Sequence, residues 1–211
     1  MDPIRLSPDG RELDPLLAAF TGRLLGVSGA PGAGKSTLAA ELARRTGAVV
    51  VPMDGFHLAD VELVRRGLLD RKGAPETFDA AGYAALLARV RVADEVVMAP
   101  AFERDLEQPL AGAIAVDPAA PLVVTEGNYL LLDEDPWPRV HARLDAVWHV
   151  VTEPVVRRRR LLARHVASGK SPAAAEQWVS RVDDPNAVIV DATASRADLV
   201  VELTSWAPSP G

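Results

Sequence analysis

The chain has 211 residues, no cysteine and a formal net charge of −6, with 48% hydrophobic and 25% charged residues. That composition fits a globular domain; it excludes disulfides, thiolate metal sites and cysteine nucleophiles, and its acidic balance argues against a nucleic-acid partner. No apolar run approaches the ~20 residues of a membrane helix, and the N-terminal stretch MDPIRLSPDGRELDPLL lacks the apolar core of a secretory signal, so a cytoplasmic location without membrane contact is expected.

In chain order, Arg23 to Ser28 reads as a first buried strand, followed by a glycine loop and a helix with Leu38 and Leu42 on one face. Ala48 to Met53 reads as a second strand. Asp79 is placed to cap a helix in which Tyr83, Leu86, Leu87 and Val90 fall at i, i+3, i+4 and i+7. Glu95 to Ala99, Leu122 to Thr125 and Asp145 to Val151 read as the third, fourth and fifth strands. Pro154 opens an arginine-rich helix and Ser171-Pro172 opens another. Asn186 to Val190 and Leu199 to Leu203 read as further short strands. Near-continuous apolar strands alternating with helices predict an α/β fold, a three-layer α/β/α domain on a mostly parallel, five-stranded sheet, with the ligand site beyond the strands' carboxyl ends. Residues 1–21 read as an N-terminal segment, 22–205 as the domain with a small helical lid at about 155–183, and 206–211 as a flexible tail.

Residues 29–36, Gly29-Ala30-Pro31-Gly32-Ala33-Gly34-Lys35-Ser36, match G-x-x-x-x-G-K-[ST] between a strand and a helix. Glycines let the backbone wrap phosphate oxygens with N–H groups, and the helix start adds partial positive charge. Lys35 supplies a point charge to the β- and γ-phosphates, and Ser36 a hydroxyl to Mg²⁺. The reading is a P-loop that binds a nucleoside triphosphate and Mg²⁺ through Gly29, Ala30, Gly32, Ala33, Gly34, Lys35, Ser36 and Thr37, a motif that serves kinases, GTPases, motor ATPases and transport ATPases alike. Lysine is scarce, with only Lys35, Lys72 and Lys170 in the chain, so one at the end of a glycine loop stands out.

Two carboxylates follow strands. Asp54, in Met53-Asp54-Gly55-Phe56-His57, is placed to accept the proton of an attacking hydroxyl; the competing reading is a turn cap. Glu126, in Thr125-Glu126-Gly127-Asn128-Tyr129, is placed to serve the Mg²⁺ shell or a substrate hydroxyl; the competing reading is a buried structural carboxylate. Arg157, Arg160 and Arg164 share one helix face at i, i+3 and i+7 and form a candidate phosphate clamp, against the alternative of a solvated basic face. His57, Phe102, Arg104 and the loop Arg71 to Asp79 are candidate acceptor contacts or ordinary loop residues.

Four stretches, Gly29 to Thr37, Met53 to Leu58, Arg71 to Asp79 and Glu126 to Leu131, together resemble the branch of P-loop kinases that contains uridine kinase, phosphoribulokinase and bacterial pantothenate kinase. Pro100 to Arg104 and Asp184 to Ala187 are similar to the fructose-transport-type, nucleoside/nucleotide kinase-like members. The resemblance implies that Asp54 is the catalytic base, acting with Lys35 and Arg160, and that Glu126 stands near Mg²⁺ and substrate. It implies that Arg157, Arg160 and Arg164 reach nucleotide phosphates, that Phe78, Asp79, Phe102 and Arg104 fall at the acceptor pocket, and that Asn186 lies in a segment approaching the adenine; His57, Arg104 and Tyr129 are candidate acceptor contacts because they can donate hydrogen bonds to a hydroxylated compound. Uridine kinases carry Asp-Ser-Phe where this chain has Asp54-Gly55-Phe56. The expected function is transfer of the γ-phosphoryl group of ATP to a hydroxyl of a small metabolite, a sugar or polyol before a nucleoside or a pantothenate-like compound. A homodimer is left open. A GTPase switch is disfavoured because neither Lys72 nor Lys170 follows an Asn, as a guanine-reading N-K-x-D motif requires.

Overall fold

The computed structural model describes residues 2–204 and Trp206. The elements in chain order are β1 (Ile4–Arg5), α1 (Leu13–Ala19), β2 (Leu24–Gly29), α2 (Lys35–Thr46), β3 (Val49–Pro52), α3 (Asp60–Arg66) and α4 (Ala80–Val92). They continue as β4 (Val97–Glu103), β5 (Gln108–Val116), β6 (Val123–Glu126), α5 (Trp137–His141), β7 (Ala146–Val151), α6 (Pro154–Ala167), α7 (Pro172–Trp178), α8 (Asp184–Asp191) and β8 (Leu199–Glu202). Six strands form one parallel sheet in the order β1-β8-β7-β2-β6-β3. Every residue of β2 is buried, as expected of a central parallel strand covered on both faces.

Successive strand residues feed opposite cores, the period-2 rule of a pleated strand. Leu24, Val123 and Val147 join the core with Tyr83, Leu87 and Trp137 from α4 and α5. Leu25, Val124 and Trp148 join the other, with Leu38 and Leu42 of α2 and with Leu6, Leu13 and Trp206. The result is three layers. β1 pairs with β8 at the sheet edge, Ile4 opposite Val201, so residues before 22 contribute to the sheet. Trp206 is buried; the remainder of the expected tail, 207–211, lies outside the described residues.

Two strand expectations are corrected. The run from Glu95 does not enter the main sheet: β4 pairs antiparallel with β5 in a separate two-stranded hairpin. A register shift between Ala99 and Ala101 falls at Pro100, which has no N–H to give. The run Asn186 to Val190 is helical, as part of α8. Asn186, Ala187 and Val190 are buried while Val188 and Ile189 are exposed, a helical rather than an alternating pattern. The main sheet therefore has six strands rather than five: it loses β4, takes in the expected strand at Leu199 as β8, and gains β1. The caps at Asp79 and Ser171 form as read: Asp79 Oδ1 accepts from Gly82 N at 2.8 Å, and Ser171 Oγ from Ala174 N at 3.2 Å.

The hairpin sits on the 3₁₀ turn Met53–Phe56 that follows β3. A Cβ on Gly55 would lie 2.5 Å from the Pro100 carbonyl oxygen, a backbone atom that cannot swing aside. This accounts for glycine where uridine kinases have serine. Gly55→Ser is expected to lower stability by about 1–3 kcal/mol, the usual penalty of overpacking, read as a lower denaturation midpoint; an unchanged midpoint would show that the hairpin yields.

His149, on β7, is buried and neither ring nitrogen has a hydrogen-bond partner among the described residues. Burial, with a smaller contribution from the Lys35 charge, pushes its pKa down to about 4 from 6.5. The unfolded chain therefore takes up a proton that the folded chain refuses, and stability falls as pH drops from about 6.5 towards 4, by up to about 1.4 kcal/mol per pH unit. His149→Leu is expected to flatten this limb in denaturation curves measured across that range, whereas an identical limb in both proteins would assign the acid loss to other groups.

Candidate active site

The carboxyl ends of β2, β6 and β3 are level, with Val27 opposite Glu126 and Pro52 also opposite Glu126. The loops leaving these strands converge at one edge of the sheet. After β2, Gly32 and Gly34 take positive φ, +78° and +107°, a conformation that glycine adopts without the clash of a Cβ. α2 then starts at Lys35, directing its free N–H groups into the loop. Ala30 and Ala33 are buried beneath, and Thr37 is exposed on the first turn of α2.

The Lys35 side chain is buried, its Nζ donating to Asn128 Oδ1 at 2.5 Å and to the Ala30 carbonyl at 3.1 Å. Burial lowers its pKa, and the nearby Glu126 and Asp54 carboxylates push it back up. Glu126, the last residue of β6, accepts from Ser36 Oγ at 3.0 Å. Burial raises its pKa, the Asp54 carboxylate adds to that, and Lys35 opposes both. Gly127 lets this corner close: its N donates to the Val27 carbonyl at 3.1 Å, and a Cβ would lie 2.4 Å from Met53 Cβ.

Asp54 stands on the turn after β3, with Arg104 Nη2 3.9 Å from its Oδ2. His57 Nδ1 lies 2.9 Å from the Asp54 carbonyl. A carbonyl only accepts, so this contact requires the proton on Nδ1. The His57 ring packs between Phe78 and Phe102, at centroid distances of 4.0 and 4.9 Å, and burial lowers its pKa. The wall beside Asp54 is therefore aromatic, with a neutral imidazole at its centre.

These groups share one cavity of about 420 Å³. Lys35, Ser36, Asp54, His57, Phe78 and Phe102 line it, as do Arg104, Glu126, Arg164 and Asn186. Other candidates lie elsewhere. Arg157 is buried behind the glycine loop, donating to the Pro31 carbonyl at 3.3 Å and to Asp184 Oδ1 at 2.7 Å. Arg160 approaches the Ala33 carbonyl at 3.4 Å, and burial followed by the Arg159 charge lowers its pKa. The shared face of α6 thus packs along the glycine loop, and of its three arginines Arg164 is the one on the cavity. Tyr129 is fully buried and donates to the Gly73 carbonyl at 2.5 Å. Asn186 Nδ2 donates to the same carbonyl at 3.3 Å.

Sequence reasoning missed Asn128, which holds Lys35, and the cavity residues Lys170 and Trp178, and it took in Lys72 only as part of the loop Arg71 to Asp79. The scarcity of lysine was the one available signal. A second cavity of about 650 Å³ lies behind Phe78, Val182 and Asn186, which line both, and no residue of the glycine loop borders it.

The donor set around Ser36 suits Mg²⁺: a hydroxyl and a carboxylate, both hard oxygens, already within 3.0 Å of each other. Mg²⁺ takes few protein ligands and completes its shell with phosphate and water oxygens. No group of three or more His, Cys, Asp or Glu residues that could hold a metal is found among the described residues. Nor is any helix among them long and apolar enough to cross a membrane.

No family model matches the chain. It is 36% identical over 181 residues to the Escherichia coli protein YggC, covering 82% of this chain and 75% of that one. It is 36% identical over 172 residues to a Schizosaccharomyces pombe protein named as a candidate uridine kinase, covering 76% and 73%. The crystal structure of a candidate fructose transport system kinase from Silicibacter sp. TM1040 superposes with a TM-score of 0.76 at 39% identity, covering 86% of this chain and 91% of that one. Through these relatives and the P-loop geometry above, the chain belongs to the P-loop kinases of the uridine kinase, phosphoribulokinase and pantothenate kinase branch.

Proposed function

We propose that this kinase transfers the γ-phosphoryl group of ATP to a hydroxyl of a small sugar- or polyol-like metabolite. The observation that carries the reading is the meeting of Lys35, Ser36, Asp54 and Glu126 in one cavity, with the aromatic wall of Phe78, His57 and Phe102 beside Asp54. The glycine loop is assigned the triphosphate, with Lys35 at the β- and γ-phosphates and Arg164, also on the cavity, adding positive charge. Ser36 and Glu126 are assigned to hold Mg²⁺, which when bound neutralises phosphate charge.

Asp54 accepts the proton of the acceptor hydroxyl. The hydroxyl oxygen forms a bond to the γ-phosphorus as the bond from that phosphorus to the β–γ bridging oxygen breaks, and ADP leaves with that oxygen. Arg157 and Arg160 act indirectly in this reading, bracing the carbonyls of Pro31 and Ala33 so that the loop's N–H groups stay aimed at phosphate. The fructose transport name of the Silicibacter protein favours a sugar acceptor, and the uridine kinase name of the S. pombe relative makes a nucleoside the alternative.

ADP release with Mg·ATP is expected to rise sharply with one acceptor from a panel of sugars, polyols, nucleosides and pantothenate. With that acceptor, Asp54→Asn is expected to lower kcat by about 100- to 10,000-fold, the usual range for loss of a general base, with ATP affinity retained in a binding titration. Near-normal turnover of Asp54→Asn would remove the base assignment. Lys35→Ala is expected to weaken ATP binding and to lower kcat, each by about tenfold or more, as for loss of a charged hydrogen bond; unchanged values of both would sink the phosphate-cradle reading.

A further inference from the structure

The sequence holds three lysines, and all three line the catalytic cavity. Lys35 belongs to the glycine loop. Lys170 belongs to the lid, its Nζ 5.1 Å from the centroid of the Trp178 ring. Lys72 stands on the acceptor wall instead. Its Nζ donates to Asp60 Oδ1 at 2.7 Å and to the Glu107 carbonyl, and lies 5.6 Å from the Phe102 ring centroid. An ammonium has three donors, so one remains for the cavity.

The placement of Lys72 is built rather than incidental. Glu107, at the hairpin tip, has φ +52°, a left-handed conformation uncommon outside glycine, and its carbonyl meets the ammonium. Asp60 in turn donates its backbone N–H to Gln108 Oε1 at 3.2 Å. The hairpin tip, the start of α3 and the loop bearing Lys72 are thereby tied at one point.

Arg104 supplies a second cation, two residues beyond Phe102. Its nearest carboxylate oxygen, on Asp54, is 3.9 Å away, beyond hydrogen-bond reach, so its planar fork of donors is open to a ligand. A hydroxyl seated on Asp54 places atoms one or two carbons away beside this guanidinium. Asp54, Asp60 and Glu107 also line this half of the cavity. However, Asp60 is engaged by Lys72, Glu107 is exposed at the hairpin tip, and Asp54 is required by the hydroxyl. The donors left to give are those of Arg104 and Lys72, and a carboxylate or phosphate fits a guanidinium fork better than a neutral hydroxyl does.

We infer that the phosphoryl acceptor is a small hydroxylated anion, a sugar- or polyol-derived acid or phosphate, whose charged group is held by Arg104 and Lys72 while its hydroxyl meets Asp54. The inference rests on the kinase reading of the same cavity. The test uses acceptors in matched threes: a polyol, the hydroxy acid of the same chain length, and the polyol monophosphate, each with Mg·ATP and with wild-type, Arg104→Ala and Lys72→Met enzyme. One of the two anions is expected to exceed the polyol in kcat/KM by about 10- to 100-fold, the range for one charged hydrogen bond. That preference should shrink about tenfold in each variant, and the anion preferred separates carboxylate from phosphate. A polyol used as well as its anions, or a preference untouched by both substitutions, overturns the inference. Should no acceptor raise ADP release, it is the acceptor-transfer reading that fails. The inference then stands or falls on calorimetric titration of the same three compounds into enzyme holding a non-hydrolysable ATP analogue. Anion binding that is lost in Arg104→Ala supports it, and binding of none, or of the polyol equally, overturns it.

Discussion

Keeping one ammonium charged inside the protein is the constraint on which the site depends. Burial disfavours the charge on Lys35 and leaves its pKa lowered, and the Glu126 and Asp54 carboxylates oppose that cost. Neither carboxylate is near Lys35 in sequence. Each stands at or just past the end of a parallel strand, β6 or β3, and the level registers of β2, β6 and β3 bring all three groups to one edge. The sheet therefore acts as a ruler for electrostatics, and the point past its carboxyl ends is where the proposed function puts the phosphates. The divalent cation proposed on Ser36 and Glu126 would offset the negative charge that the two carboxylates bring to this edge.

The acceptor half is organised on a different principle. It is assembled from the turn after β3, the loop before α4 and a hairpin outside the main sheet, joined by side chains instead of a shared ladder. Gly55 is the hinge of this assembly, since only a residue without Cβ lets the Pro100 carbonyl rest on the turn that carries Asp54. Asp54, the proposed base, is thus positioned from one side by the geometry of a sheet and from the other by a packed hairpin. In such an arrangement phosphate handling and acceptor choice are separable properties.

The positions of the glycine loop, Asp54 and Glu126 at strand ends were legible in the sequence. The glycine loop, Asp54 and Glu126 each follow a short apolar strand, and local residue order suffices to place a group at a strand end. The caps at Asp79 and Ser171 are equally local. Where the reading missed, the deciding information was not local. Val188-Ile189-Val190 has the composition of a strand but lies in a helix, because burial follows Asn186, Ala187 and Val190. The strand at Val97 was recognised, but the partner that draws it away from the main sheet is a half-exposed strand, Gln108–Val116, with little apolar periodicity. The arginines of α6 share a face as their spacing requires, yet spacing does not say that the glycine loop runs alongside that face and takes Arg157 and Arg160 for its own carbonyls.

The distribution of basic residues has one more consequence. Positive charge on the outside of this molecule is carried by guanidinium, which does not react with acylating agents at ordinary pH because it stays protonated. The side-chain amines are gathered at a single cavity. Acetylation of any lysine side chain of this chain is therefore an event at that cavity, so the reactivity of the lysines is a gauge of whether the cavity is occupied.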